Sequence, residues 1–132
     1  MDENFANEER NLSSAETLVM KAVWDVAEDI SVPDLMENLK VKYARDYART
    51  TVATFLLKLS EKGFVRVYRK GKLSYVHALK READYRTKLL QDEVDFWYHG
   101  NRMELLASLF REEKMTESDK MKIWRVLDGM DD

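Results

Sequence analysis

The chain has no cysteine, one proline (Pro33) and only four glycines in 132 residues. The lack of cysteine excludes a disulfide framework, Cys-ligated zinc, iron–sulfur clusters and thiol catalysis. Scarce proline and glycine argue against a turn-rich β fold and favour long helices. No run approaches the roughly 18 consecutive apolar residues of a membrane span, so no membrane insertion is expected. Met1 to Arg10 is acidic and has no apolar signal-like run, which makes a cytoplasmic address the expectation. His77 falls in a strand pattern and His99 beside a helix break, with no ligand spacing between them. Neither a metal nor a cofactor is therefore expected. With no glycine-rich phosphate loop and no nucleophile-elbow serine, the chain does not read as an enzyme.

Charge, by contrast, is plentiful. Charged residues make up 36% and hydrophobic ones 45%, a balance suited to one globular domain, or to a small domain with an appended arm. The formal net charge of −3 conceals three blocks. Residues 1–39 carry ten acids against Arg10 and Lys21, a net of −8. Residues 40–80 carry eleven bases against Asp46 and Glu61, a net of +9, and residues 81–132 return to −4. A basic middle between acidic flanks points to a polyanionic partner for the middle block alone.

The periodicity predicts mainly α structure with a small β-hairpin. Ser13 with Glu16 forms a capping box, and Ala15, Leu18, Val19, Ala22, Val23 and Val26 keep helical spacing to about Ala27. Ile30 falls in a short connection. Ser31 to Asp34 opens a second helix with Pro33 in its first turn, and a third runs roughly from Arg49 to Lys62, with Gly63 where a left-handed cap is wanted. The period then changes to two, over residues 64–68 and 73–77 around a basic tip of Arg69, Lys70, Gly71 and Lys72. From Arg81 the chain returns to helix, broken at His99-Gly100 and again before a second capping box at Thr116 to Asp119. The acid pair Glu112-Glu113 reads as a solvated helix end. The expected organisation is a polar tail (1–11), a winged helix-turn-helix domain (12–79) and a C-terminal helical dimerisation arm (80–132).

In a helix-turn-helix the start of the third helix meets base edges. Arg49, Thr50, Thr51 and Thr54 supply groups suited to that: guanidinium for guanine, hydroxyl for phosphate or base, methyl for thymine. Lys58, Lys62 and Arg66 continue the basic character, Lys40, Lys42 and Arg45 precede it, and the hairpin cations Arg69, Lys70 and Lys72 suit phosphates. A merely solvated helix start is the bland reading of the same residues; position within the basic block favours double-stranded DNA. A rival reading is a winged-helix interaction module that binds an acidic protein. In the arm, Phe96, Trp97, Leu105, Leu106, Leu109, Phe110, Ile123, Trp124 and Leu127 leave an apolar stripe. It must fold back on the first domain or pair with a second copy, and a two-fold homodimer suits a palindromic site.

Leu12-Ser13-Ser14-Ala15-Glu16, Val19-Met20 and Val23-Trp24, then the run from Tyr47 to Leu59 and Glu61-Lys62-Gly63-Phe64-Val65, resemble the penicillinase and methicillin-resistance repressor family of the BlaI/MecI type. The likeness spans nearly the whole chain and is strongest from Tyr47 to Val65. It implies a homodimeric winged-helix transcriptional repressor, with Arg49, Thr50, Thr51 and Thr54 as groove contacts. It further implies a relay in which a membrane sensor leads to proteolysis of the arm at an Asn-Phe bond. The aligned position here is Ser108-Leu109. The metal-responsive mode of copper-responsive relatives needs cysteines that this chain lacks.

Overall fold

A computed structural model describes residues 11–111 and 115–130. The tail before Asn11 and the pair Glu112-Glu113 lie outside them. Helix α1 (Ser14–Trp24) opens on the expected capping box: the Glu16 N–H donates to Ser13 Oγ at 3.1 Å, and the Ser13 N–H donates to Glu16 Oε1 at 2.7 Å. It stops three residues short of Ala27. The Asp25 N–H bonds back to the Lys21 carbonyl at 3.0 Å and the Val26 N–H to the Val23 carbonyl at 3.4 Å, closing the last turn, so Val26 is exposed instead of extending the buried stripe.

The expected connection at Ile30 is a strand. β1 (Ile30–Ser31) makes the sheet three-stranded, although two residues are too few to show any period in the sequence. Ser31 then caps α2 (Val32–Tyr43) by accepting from the Asp34 N–H at 3.2 Å, with Pro33 in the first turn. α2 ends on Ala44 in the left-handed region (φ 55°), where the Arg45 N–H reaches the Leu39 carbonyl at 2.9 Å. Helix α3 (Arg49–Glu61) has no side-chain cap at its start. It finishes through Gly63 (φ 81°), letting the Phe64 N–H bond the Leu59 carbonyl at 2.9 Å.

Strands β2 (Val65–Lys70) and β3 (Leu73–Ala78) pair antiparallel, with β3 in the centre of the order β1-β3-β2. They run further than the alternation suggested, leaving Gly71 and Lys72 alone as the turn; Gly71 (φ 66°) takes the first position, as a glycine-first hairpin turn requires. Register places Val65, Val67 and Arg69 on one face opposite Ala78, Val76 and Ser74, and Arg66, Tyr68 and Lys70 on the other opposite His77, Tyr75 and Leu73. The core lies where the three helices meet the first face: Val19, Met20 and Val23 from α1, Leu35 and Leu39 from α2, Val52, Leu56 and Leu59 from α3, with Phe64, Val65 and Val76.

Helix α4 (Glu82–Tyr98) follows, and the chain divides into compact units after Arg86, within that helix. Tyr85 explains why the first unit continues past Leu79. Its ring lies edge-on to Phe64 at 5.2 Å and 5.9 Å from Trp24, and its hydroxyl accepts the Leu12 N–H at 3.2 Å. In the second unit, α4 ends on two consecutive left-handed residues, His99 (φ 52°) and Gly100 (φ 81°). Asn101 caps α5 (Arg102–Phe110). Thr116 and Asp119 cap α6 (Glu117–Met130) reciprocally, as their spacing predicts.

Candidate nucleic-acid interface

Helix α3 has two distinct sides. Val52, Leu56 and Leu59 are buried, with Thr51 and Phe55 half-buried at the border, while Arg49, Thr50, Ala53, Thr54, Leu57 and Lys58 form one exposed face. Arg49, Thr50, Thr54 and Lys58 thus stand on that face and Thr51 at its margin. The Thr54 hydroxyl donates to the Thr50 carbonyl one turn back at 3.0 Å, which leaves its methyl and lone pairs outward. Leu57, 61% exposed, escaped the sequence reading because leucine at helical spacing reads as core. The signal that could have found it is its place four residues after Ala53 and eight after Arg49.

Arg49, Ala53 and Leu57 line a shallow groove of about 320 Å³ whose far wall is Val67 and Ser74 of the hairpin. The exposed side of α3 and one face of β2–β3 therefore border the same depression. Arg69 is on the hairpin face that carries Val67 and Ser74, Lys70 is on the opposite face, and Lys72 is in the turn. Arg45, in the loop between α2 and α3, is exposed and donates only to the adjacent Ala44 carbonyl, at 3.3 Å.

Ion pairing distinguishes the candidate contacts from several other cations of the unit, although Lys40, Arg66, Lys80 and Arg86 also have no ion pair among the described residues. Among the described residues, none of Arg45, Arg49, Lys58, Arg69, Lys70 and Lys72 has an acidic partner within 4.0 Å, whereas Lys21, Lys42, Lys62 and Arg81 in the same unit all do. Lys42 is taken up by Asp25, and Lys62 also corrects the sequence reading, which counted both with the basic face. The Lys62 ammonium turns inward to Glu16 Oε1 at 2.7 Å and to the Asn11 carbonyl at 3.0 Å. Direction of a side chain around the end of a helix cannot be read from a charge tally.

Three acids of the N-terminal block hold the elements of this surface. Glu16, only 2% exposed, grips the end of α3 through Lys62. Burial pushes its carboxyl up, but the bonds from Lys62 and Ser13 outweigh that and hold it below the usual carboxylate range. Asp25 grips the end of α2, accepting from the Tyr43 hydroxyl at 2.6 Å and pairing with Lys42 at 2.9 Å. Burial likewise raises it, and the bonds from Tyr43, Lys42 and Asn38 bring it below its ordinary value; Tyr43 in turn is pushed up to about 12 by burial and by Asp25. Asp29 holds the hairpin, accepting from the Tyr68 hydroxyl and lying 2.7 Å from His77 Nδ1; these bonds lower its pKa.

The arm residues sit in helices that leave much apolar surface uncovered. Phe96 and Trp97 on α4 are 60% and 65% exposed and pack edge-on to one another at 4.8 Å. Leu105, Leu106 and Phe110 on α5 and Ile123 on α6 are half-buried, while Leu109, Trp124 and Leu127 are exposed. Leu106, Phe110, Ile123, Val126 and Leu127 line an apolar groove with the stem of Lys122. Among the described residues, no group of three or more His, Cys, Asp or Glu could hold a metal ion, and no helix is long and apolar enough to cross a membrane.

The sequence profile of the family described as penicillinase repressor matches residues 12–129. The methicillin resistance regulatory protein MecI of Mammaliicoccus sciuri is 23% identical over 121 residues, covering 92% of this chain and 96% of that protein. MecI of Staphylococcus aureus (strain N315) is 22% identical over the same shares. A solution structure of the DNA binding domain of the repressor BlaI is 26% identical, covers 58% of this chain and 89% of that one, and has a TM-score of 0.49. Because the profile runs from the first helix into the last, the chain belongs to the penicillinase repressor family, a family of regulators and not of enzymes.

Proposed function

We propose that the chain is a winged-helix transcriptional repressor that binds a palindromic DNA operator as a homodimer. The observation that carries this reading is where the unpaired cations lie. The exposed cations of α3, its preceding loop and the hairpin gather on one side without acidic neighbours among the described residues, whereas Lys21, Lys42, Lys62 and Arg81 are each paired with a carboxylate of the same unit. Unpaired like charges on one surface repel each other, and a row of phosphates relieves that repulsion. In this reading Arg45, Lys58, Arg69, Lys70 and Lys72 meet phosphates, while Arg49, Thr50, Thr51 and Thr54 face base edges.

Membership of a repressor family supports the regulatory role, and the apolar surface of α4, α5 and α6 supports pairing of two chains through the arm. The residues committed to that interface are Phe96, Trp97, Leu105, Leu106, Leu109, Phe110, Ile123, Trp124 and Leu127. Two half-sites about 34–36 Å apart would be engaged together, and repression follows from occupying promoter DNA. A sensor-linked protease acting at Ser108-Leu109 would first have to unwind α5, within which that bond lies.

A salt titration of binding to selected genomic fragments tests the reading. Neutralising about six phosphates costs on the order of 10³-fold in affinity between 50 and 200 mM salt, and a flat response would sink it. Arg49→Ala with Thr51→Ala should erode preference for the selected fragments over random DNA. Equal loss on both would remove these residues from base reading.

A further inference from the structure

The hairpin is secured on its two faces by different means. On one face Val65 and Val76 join the core, and Val67 borders the groove beside α3. β1 pairs only with Val76 and Tyr75, so from Arg69 through Ser74 the hairpin is a bare two-stranded ribbon, an arrangement of marginal stability in water. On the other face, one side chain reaches both strands. Extending the β1–β3 register by one residue sets Asp29 opposite His77. From there its carboxylate bonds His77 on β3 and, across β3, the Tyr68 hydroxyl on β2. Tyr68 is stacked on Tyr75 at 5.8 Å, with the Arg66 guanidinium 5.0 Å above its ring.

We infer that Asp29 is a positioning residue for DNA binding: it fixes the angle of the hairpin from the side away from α3, and so sets where Arg69 and Lys72 meet the phosphate backbone. The inference rests on the reading of the hairpin as a DNA-contacting wing. Asp29 touches no DNA in this scheme and acts through Tyr68 and His77. Its cluster lies at the surface, so its removal leaves the buried core intact and the effect falls on the wing.

The sign of the effect separates this role from plain electrostatics. Deleting a negative charge near a DNA-binding surface strengthens binding to a polyanion if charge alone matters. If Asp29 positions the wing, Asp29→Ala weakens binding despite the more favourable net charge. Measured on a mixed-sequence duplex of about 30 base pairs, Asp29→Ala should lose roughly tenfold in affinity and flatten the salt slope by about 0.9 for each wing phosphate forfeited. Arg69→Ala with Lys72→Ala should flatten it equally, and adding Asp29→Ala to that pair should cost little more. Asp29→Asn keeps an oxygen to accept from the Tyr68 hydroxyl and retains a polar amide that can bond His77 Nδ1, and should restore the wild-type slope.

In the DNA-free protein, backbone amides of residues 67–74 should exchange faster in Asp29→Ala, with those of α1 to α3 unchanged. Tighter or equal binding by Asp29→Ala with an unaltered slope overturns the inference, as does unchanged amide exchange. If the wild-type chain itself shows no salt-dependent binding, the DNA reading fails. The exchange measurement then still decides whether Asp29 positions the hairpin.

Discussion

The two compact units of this chain solve the problem of apolar surface in opposite ways. The first, to Arg86, gathers side chains from three helices and a sheet into one core and ties distant segments with ion pairs such as Lys62–Glu16 and Lys21–Glu82. In the second, Val94 alone is buried among the described residues, and the ion pairs, Lys88–Asp92 and Lys120–Glu117, join neighbours on one helix. Trp124 is 68% exposed there, and Met103, Val126 and Met130 are also exposed. Pairs of that local kind contribute only a few tenths of a kcal/mol, and a helix as short as α5 is marginal alone in water. The first unit carries its own stability. The second is an incomplete layer, and pairing with another copy would complete it.

Removing the second unit tests this contrast most severely. A chain ending at Arg86 should keep its cooperative unfolding but sediment as a monomer, and its affinity for a two-half-site duplex should fall by about 10²–10⁴. A fragment that still dimerises would refute the assignment of assembly to the arm. Within the full chain, Trp124→Ala should weaken self-association by about 2 kcal/mol, roughly 30-fold in the dimer constant, while leaving unfolding of the first unit unchanged. Sedimentation equilibrium and the urea midpoint report the two quantities separately.

A comparable loss confined to the first unit is expected from Lys62→Ala, which strands the buried Glu16 carboxylate. The cost should be about 2–3 kcal/mol in urea unfolding, below a fully buried pair because the Lys62 side chain keeps 24% exposure. Glu16 is lowered from its ordinary 4.5 in the folded chain, so its contribution is complete above that value and vanishes as pH falls through the folded pKa. Midpoints measured on either side of that range should show the decline in the wild type; without Lys62, burial remains as the opposing force and the decline should shrink. Tyr43 gives the smallest effect. Its phenol should titrate near 12 by absorbance, and the stability it lends in neutral form is present below 10.0 and lost as pH rises through about 12. Tyr43→Phe should cost about 1 kcal/mol at neutral pH.

Features generated by neighbours in the chain were legible before the fold was known. Both capping boxes, the left-handed glycine after α3, the hairpin and the break at His99-Gly100 depend on side chains within a few residues of each other. Features that depend on partners far away were not. β1 has no period to detect, and its existence follows from what β3 offers across the sheet. The inward turn of Lys62 depends on a glutamate 46 residues earlier, and the Asp29 cluster joins residues 39 and 48 apart. The same holds for the candidate interface. Helical spacing placed Arg49, Thr50 and Thr54, but only the tertiary arrangement separates cations already neutralised from those left open, and it adds Leu57 to the exposed face.

The open cations of α3 and the hairpin also link endurance to activity. In the free protein they push against one another, so added salt should raise the melting temperature by screening that repulsion. The same salt weakens the hold on DNA. Ionic strength therefore moves stability and binding in opposite directions through one set of side chains, and a variant that neutralises Arg69 or Lys58 should gain thermal tolerance as it loses grip. The surface proposed to hold DNA is also the part of the first unit where like charges crowd one another most.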